Sequence, residues 1–171
     1  MKLSMKKKVI FGIIAGLCFA LSLNAATTGT LSLTGTQPAI LSITVTANPA
    51  ASSLALSTNV TNLQVGSIVE QSNDTAGYTV TISSANAQAL PSAVAFFKSA
   101  TTTDTLPYTI QYGGAAVTFL ATGAPVIVSN TTTKTVAAGT TNLVTVSFSG
   151  ANANLGQATY TDTLTFTIAA K

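Results

Sequence analysis

Alternation of apolar and hydroxyl side chains at every second position is the feature that most constrains this chain. Near its end, Leu164, Phe166 and Ile168 alternate with Thr163, Thr165 and Thr167. A period of two sends successive side chains to opposite faces of a strand, so one face is apolar and the other carries hydroxyls. Such a strand is stable only when another layer covers its apolar face. The rest of the chain must therefore supply that layer, and the same alternation recurs along it.

Residues 28–34 alternate at Leu31 and Leu33, and residues 39–46 at Leu41, Ile43 and Val45. Leu54 and Leu56 form a short alternating pair. Residues 63–72 carry Val65, Ile68 and Val69 and run into Asn73-Asp74-Thr75-Ala76-Gly77, after which Tyr78, Val80 and Ile82 alternate. Asn and Asp bond their own backbone and Gly allows positive φ, so this segment reads as the turn of a β-hairpin. Residues 83–105 break the pattern with alanines, Pro91, Phe96 and Phe97, and read as a short helical turn or an irregular crossover between sheets. Tyr108, Ile110 and Tyr112 precede Gly113-Gly114, and Ala115, Val117 and Phe119 come next, which predicts a two-residue hairpin. Residues 125–129 and then Val144, Val146 and Phe148 predict two more strands. With about eight to ten short strands and hardly any helical period, the fold class is all-β, an immunoglobulin-like antiparallel β-sandwich. A closed barrel is the competing architecture, and the long crossover at 83–105 suits a sandwich better.

The basic charge of the whole chain is misleading. Lys2, Lys6, Lys7 and Lys8 precede an apolar stretch from Val9 to about Leu23, which ends in small residues. That order predicts a secretory signal peptide over residues 1–25, cleaved after Ala25 or Ala26. The mature chain then holds Lys98, Lys134 and Lys171 against Glu70, Asp74, Asp104 and Asp162, a net charge of −1, with no Arg or His. A nucleic-acid partner is excluded, since no basic stripe exists to neutralise phosphates. Cys18 falls inside the signal, so the mature chain has no thiol for a disulfide. All 31 threonines lie beyond the signal, where a β-branched hydroxyl suits the wet face of a strand. The predicted organisation is a signal peptide (1–25), an N-terminal extension or first strands (26–46) and a sandwich domain (47–171).

Chemistry is scarce. The four carboxylates are scattered at or beside turns and strand ends, which argues against a paired acid and base. Asp74 reads as a turn former, and Asp162 as a partner of local backbone or hydroxyl groups. Zinc requires Cys or His, calcium requires clustered oxygens, and no phosphate-binding glycine loop is present. The expectation is a protein that is not an enzyme, with no catalytic, metal or cofactor site. Tyr78, Tyr108, Tyr112 and Tyr160 read as packed at strand ends with bonded hydroxyls. The alternative is a sugar-binding platform, as in a carbohydrate-binding module.

The ordered segments ITVTANP, LQVGSIVEQSNDTAGYTVTISS, LPYTIQYGG and ATYTDTLTFTI together resemble chaperone–usher fimbrial subunits of the colonisation-factor class. The end of the chain, at Gly156, Tyr160, Asp162 and Thr163, is also similar to spore-coat-U-like secreted domains. The fimbrial resemblance implies an incomplete sandwich whose open groove is filled by the N-terminal strand of the next subunit. It implies a homo-polymer at the bacterial surface, reached through the periplasm with a chaperone and an outer-membrane usher, and a host or surface glycan as a further partner. The donor candidates are Leu31, Leu33, Leu41, Ile43 and Val45, and the acceptor or closing strand is marked by Leu164, Phe166 and Ile168. The other expectation is a self-contained secreted coat or matrix sandwich.

Overall fold

The structure, a computed structural model, describes residues 27–171, so the predicted signal peptide and its cleavage point lie outside the described residues. The chain divides into two units, Met1–Thr36 and Gln37–Lys171. Within the first, residues 27–36 carry neither helix nor strand, although Leu31 and Leu33 have strand spacing. The second is an antiparallel β-sandwich. No helix among the described residues is long and apolar enough to cross a membrane.

The strands are β1 (Leu41–Ala47), β2 (Asn59–Ser72), β3 (Tyr78–Ser84), β4 (Ala95–Ser99), β5 (Thr105–Tyr112), β6 (Ala115–Val117), β7 (Val126–Asn130), β8 (Thr140–Ser149), β9 (Tyr160–Thr161) and β10 (Leu164–Ala170). One short helix, α1 (Ala85–Ala89), follows β3, and a single 3-10 turn (Pro49–Ser52) follows β1. The larger sheet runs β1-β2-β8-β5-β4-β9, with β6 also on β5, and the smaller sheet runs β10-β3-β7. Seven strands thus face three.

The inner faces meet in one core. Ile68, Tyr108, Ile110, Val144 and Val146 from the larger sheet pack with Ile82 of β3. Phe97 stacks on Tyr108 with ring centroids 4.3 Å apart and meets Phe148 edge-on at 5.8 Å. Aromatic pairs in these geometries add stabilisation beyond the area they bury.

Several expectations are corrected. The segments joined by residues 73–77 are not a hairpin: β2 pairs with β1 and β8, whereas β3 pairs with β10 and β7. Placing the two strands in opposite layers buries Ile68 and Ile82 in the same core. Leu54 and Leu56 pack on the core from a loop, because Asn48 caps the 3-10 turn by accepting from the Ala50 N–H at 3.0 Å and Pro49 fits its first position. Residues 83–105 do begin with the expected short helical turn, α1, capped by the Ser84 hydroxyl, and cross between the sheets, but they also hold a regular strand, β4. The adjacent Phe96 and Phe97 are both buried, so no alternation marks that strand. The Gly113-Gly114 hairpin is present as expected, with φ of 56° and 85° and Tyr112 paired to Ala115.

The final segment is two strands. β9 pairs with β4 in the larger sheet, and β10 pairs with β3 in the smaller one. The change of layer occurs at Asp162, whose carboxylate accepts from the Ser84 hydroxyl (2.6 Å), the Tyr108 hydroxyl (2.7 Å) and the N–H groups of Asn86 (3.1 Å) and Thr163 (2.7 Å).

Candidate functional site

The imbalance between the sheets leaves an opening. Among the described residues, β10 has β3 on one side and no strand on the other. Backbone N–H and C=O groups along such an edge remain available to an added strand. Leu164, Phe166 and Ile168 face the core side of β10 but are only half-buried, while Thr165 and Thr167 are exposed. On the larger sheet, β1 shows the same incompleteness. Ile43 is half-buried, and Leu41 and Val45 remain 41% and 54% exposed.

Between these elements lies a groove of about 300 Å³. Val45 and Ala47 of β1 form one wall, Leu164 and Phe166 of β10 the other, and Leu54 closes one side. Its floor is the core itself, where Ile68, Phe97, Tyr108, Val144 and Val146 are reached from outside. The one charged lining residue is Asp162, whose oxygens already hold four donors. An occupant would therefore need apolar side chains at alternate positions and a backbone free to bond the β10 edge.

The structure sorts the predicted residues into three places. Leu164, Phe166 and Ile168 pair with Ser84, Ile82 and Val80 in the strand at the edge of the smaller sheet. Leu41, Ile43 and Val45 pair with Ser72, Glu70 and Ile68 within their own sheet, so they belong to the sandwich, and Val45 forms part of the groove wall. Leu31 and Leu33 lie in residues 27–36, each 85% exposed. Nothing in the sequence marks Phe97, Tyr108 and Leu54 as groove residues. Their place there depends on which strands neighbour one another, and no local pattern carries that.

Three of the four tyrosines are buried in the fold. Tyr78, Tyr108 and Tyr112 are 1%, 4% and 4% exposed and offer no face to a sugar. Tyr160 is half-buried and donates to the Gly156 carbonyl at 2.9 Å and to Asp104 at 3.2 Å. Glu70, buried in β2, accepts from the hydroxyls of Tyr78 (2.8 Å), Tyr112 and Ser129 (3.0 Å) and from the Asn142 amide (3.1 Å). Burial, and then the Glu70 carboxylate, push the hydroxyls of Tyr78 and Tyr112 above the usual tyrosine range. Burial and Asp162 do the same to Tyr108. The Asp104 carboxyl is held below the usual range by the Gly156 N–H, with Thr102 and Tyr160 assisting. Among the described residues no three Cys, His, Asp or Glu side chains come together as metal ligands.

No protein-family model matches the chain, and no curated protein matches it.

Proposed function

We propose that the protein is a structural subunit of a bacterial surface fibre, in which the arm of one copy fills the groove of the next. One observation carries this reading. An apolar groove opens onto the core beside an unpaired strand edge, in a chain that also carries an exposed arm with Leu31 and Leu33 at strand spacing.

The energetics are favourable. Burying two leucine side chains is worth about 3–6 kcal/mol, and backbone bonds to the β10 edge add to it before the cost of ordering the arm. A head-to-tail contact that does not close on itself produces a fibre. The leader of residues 1–25 fits export, and the resemblance to chaperone–usher pilins points the same way. An open apolar groove is also a liability during transit, which fits a periplasmic chaperone that covers it and an outer-membrane usher that exchanges that cover for the arm.

The test compares the mature chain with a Leu31→Asp/Leu33→Asp variant, whose changes fall on exposed positions. Size-exclusion chromatography and electron microscopy should show fibres from the parent and monomers from the variant. The variant should still bind a synthetic peptide of residues 27–36. A variant that assembles like the parent, or a groove that ignores the peptide, overturns the reading.

A further inference from the structure

The turn at residues 73–77 links the two layers, and it holds the segment that precedes β1 and the end of β10 at once. Asn73 makes three bonds to residues 37–40. Its Oδ1 accepts from the Ile40 N–H at 2.7 Å, its Nδ2 donates to the Pro38 carbonyl at 2.7 Å, and its backbone N–H donates to the Ile40 carbonyl at 3.1 Å. Pro38 itself has a restricted φ, so the held segment is stiff. Asp74 keeps the turn in shape. Its Oδ1 accepts from the Ala76 N–H at 2.9 Å, and its own N–H donates to the Ser72 hydroxyl at 3.1 Å.

The other end of the turn grips β10. The Gly77 carbonyl accepts from the Lys171 N–H at 3.4 Å, and the next residue, Tyr78, pairs with Ala170. The segment from which the arm emerges and the terminus of the acceptor edge are therefore tied to a single five-residue turn. The bond from the Asn73 side chain to Pro38 is exposed to solvent, so its loss leaves no buried polar group without a partner.

We propose that Asn73 is a positioning residue for assembly. It fixes where the donated arm leaves its subunit relative to that subunit's own acceptor edge, and so sets the geometry from one subunit to the next. This rests on the arm-in-groove reading of the preceding subsection. Without the two side-chain bonds, residues 37–39 join the free arm, while the Asn73 backbone N–H still holds the Ile40 carbonyl. The longer, looser arm loses more conformational freedom on docking.

The experiment uses the full mature chain with Asn73→Ala. Fibre growth followed by light scattering should slow about tenfold, the cost of ordering roughly one more backbone residue, and electron micrographs should show a broadened axial repeat. Asn73→Asp keeps an oxygen for the Ile40 N–H but sets an acceptor-only carboxylate oxygen against the Pro38 carbonyl, so its growth rate should also fall below the parent's. A purely structural role is separated by adding Asn73→Ala to the Leu31→Asp/Leu33→Asp chain. Affinity for the peptide of residues 27–36 should stay within about twofold, since the groove is untouched. Growth and repeat unchanged in Asn73→Ala overturn the positioning role while leaving the arm-in-groove reading intact. Loss of peptide affinity in the combined variant also overturns it, by making Asn73 a residue of the acceptor fold. A parent groove that does not bind the peptide removes both proposals together.

Discussion

Tyr108 donates its hydroxyl hydrogen to Asp162 at 2.7 Å, joining the middle of the larger sheet to the point where the chain changes layer. The same carboxylate caps the start of α1 through Asn86 and binds Ser84 at the end of β3. One side chain thus ties β5, β3 and the entry to β10. Removing the hydroxyl alone, in Tyr108→Phe, should cost about 1.5–3 kcal/mol, the range for a hydrogen bond to a charged group, with the ring still stacked on Phe97. Asp162→Ala should cost more, because it strands the buried Tyr108 hydroxyl and three other donors. Urea denaturation of both variants checks the order.

Alkaline pH should unfold the sandwich through its buried tyrosines. The hydroxyls of Tyr108 and Tyr112 titrate above the ordinary tyrosine value of 10.0 in the folded chain, chiefly through burial and then through the carboxylates they bond. A folded-state pKa above the unfolded one favours the protonated, folded form. The stabilisation is complete below about pH 10 and disappears as pH rises from there toward the folded values. Urea midpoints measured across that window should fall steeply for the parent. They should fall less for Tyr108→Phe or Tyr112→Phe, which lack the titrating group. A parent whose midpoint is flat above about pH 10 contradicts this account.

Gly77→Ala should be severely destabilising. Gly77 has φ of 87°, and a Cβ placed there would stand 2.2 Å from the Thr131 carbonyl oxygen. Left-handed backbone alone costs a residue with a Cβ about 1–2 kcal/mol, and the clash adds to it. Gly114→Ala, with φ of 85° but open space around the Cβ, should show the backbone cost alone. Thermal melts of the pair therefore separate conformational strain from steric overlap.

The alternating stretches made the sandwich and its last strand legible. Leu164, Phe166 and Ile168 stand in β10 with the spacing that marked them, and Tyr112-Gly113-Gly114-Ala115 is a hairpin because two glycines can take the positive φ it requires. The pairing of strands was not legible. Residues 73–77 have the composition of a hairpin turn, yet the flanking strands do not pair with each other: β2 pairs with β1 and β8, and β3 with β7 and β10. Local turn chemistry permits either outcome, and burial of both apolar faces in one core decides it. The groove was hidden for the same reason. Val45 and Phe166 are 121 positions apart, and they share a groove only because the two sheets differ in width.

Val45 offers the cleanest separation of docking from folding. It forms part of the groove wall yet is 54% exposed, so its side chain contributes less to the core than a buried valine would. In Val45→Asp the new carboxylate keeps its water while the groove is empty and loses it when an apolar strand enters. Stability should drop by no more than about 1 kcal/mol, whereas affinity for the peptide of residues 27–36 should fall at least tenfold, about 1.4 kcal/mol or more. Thr44→Asp, at an alternate and exposed position of β1 outside the groove lining, should leave affinity unchanged. Phe166→Ala should weaken both properties, since that ring also lies 6.0 Å from Tyr112 across the core. Fluorescence anisotropy of labelled peptide against the Leu31→Asp/Leu33→Asp background, alongside urea melts, reads the two quantities separately. Equal affinity in Val45→Asp and Thr44→Asp would move the docking surface away from the groove between β1 and β10.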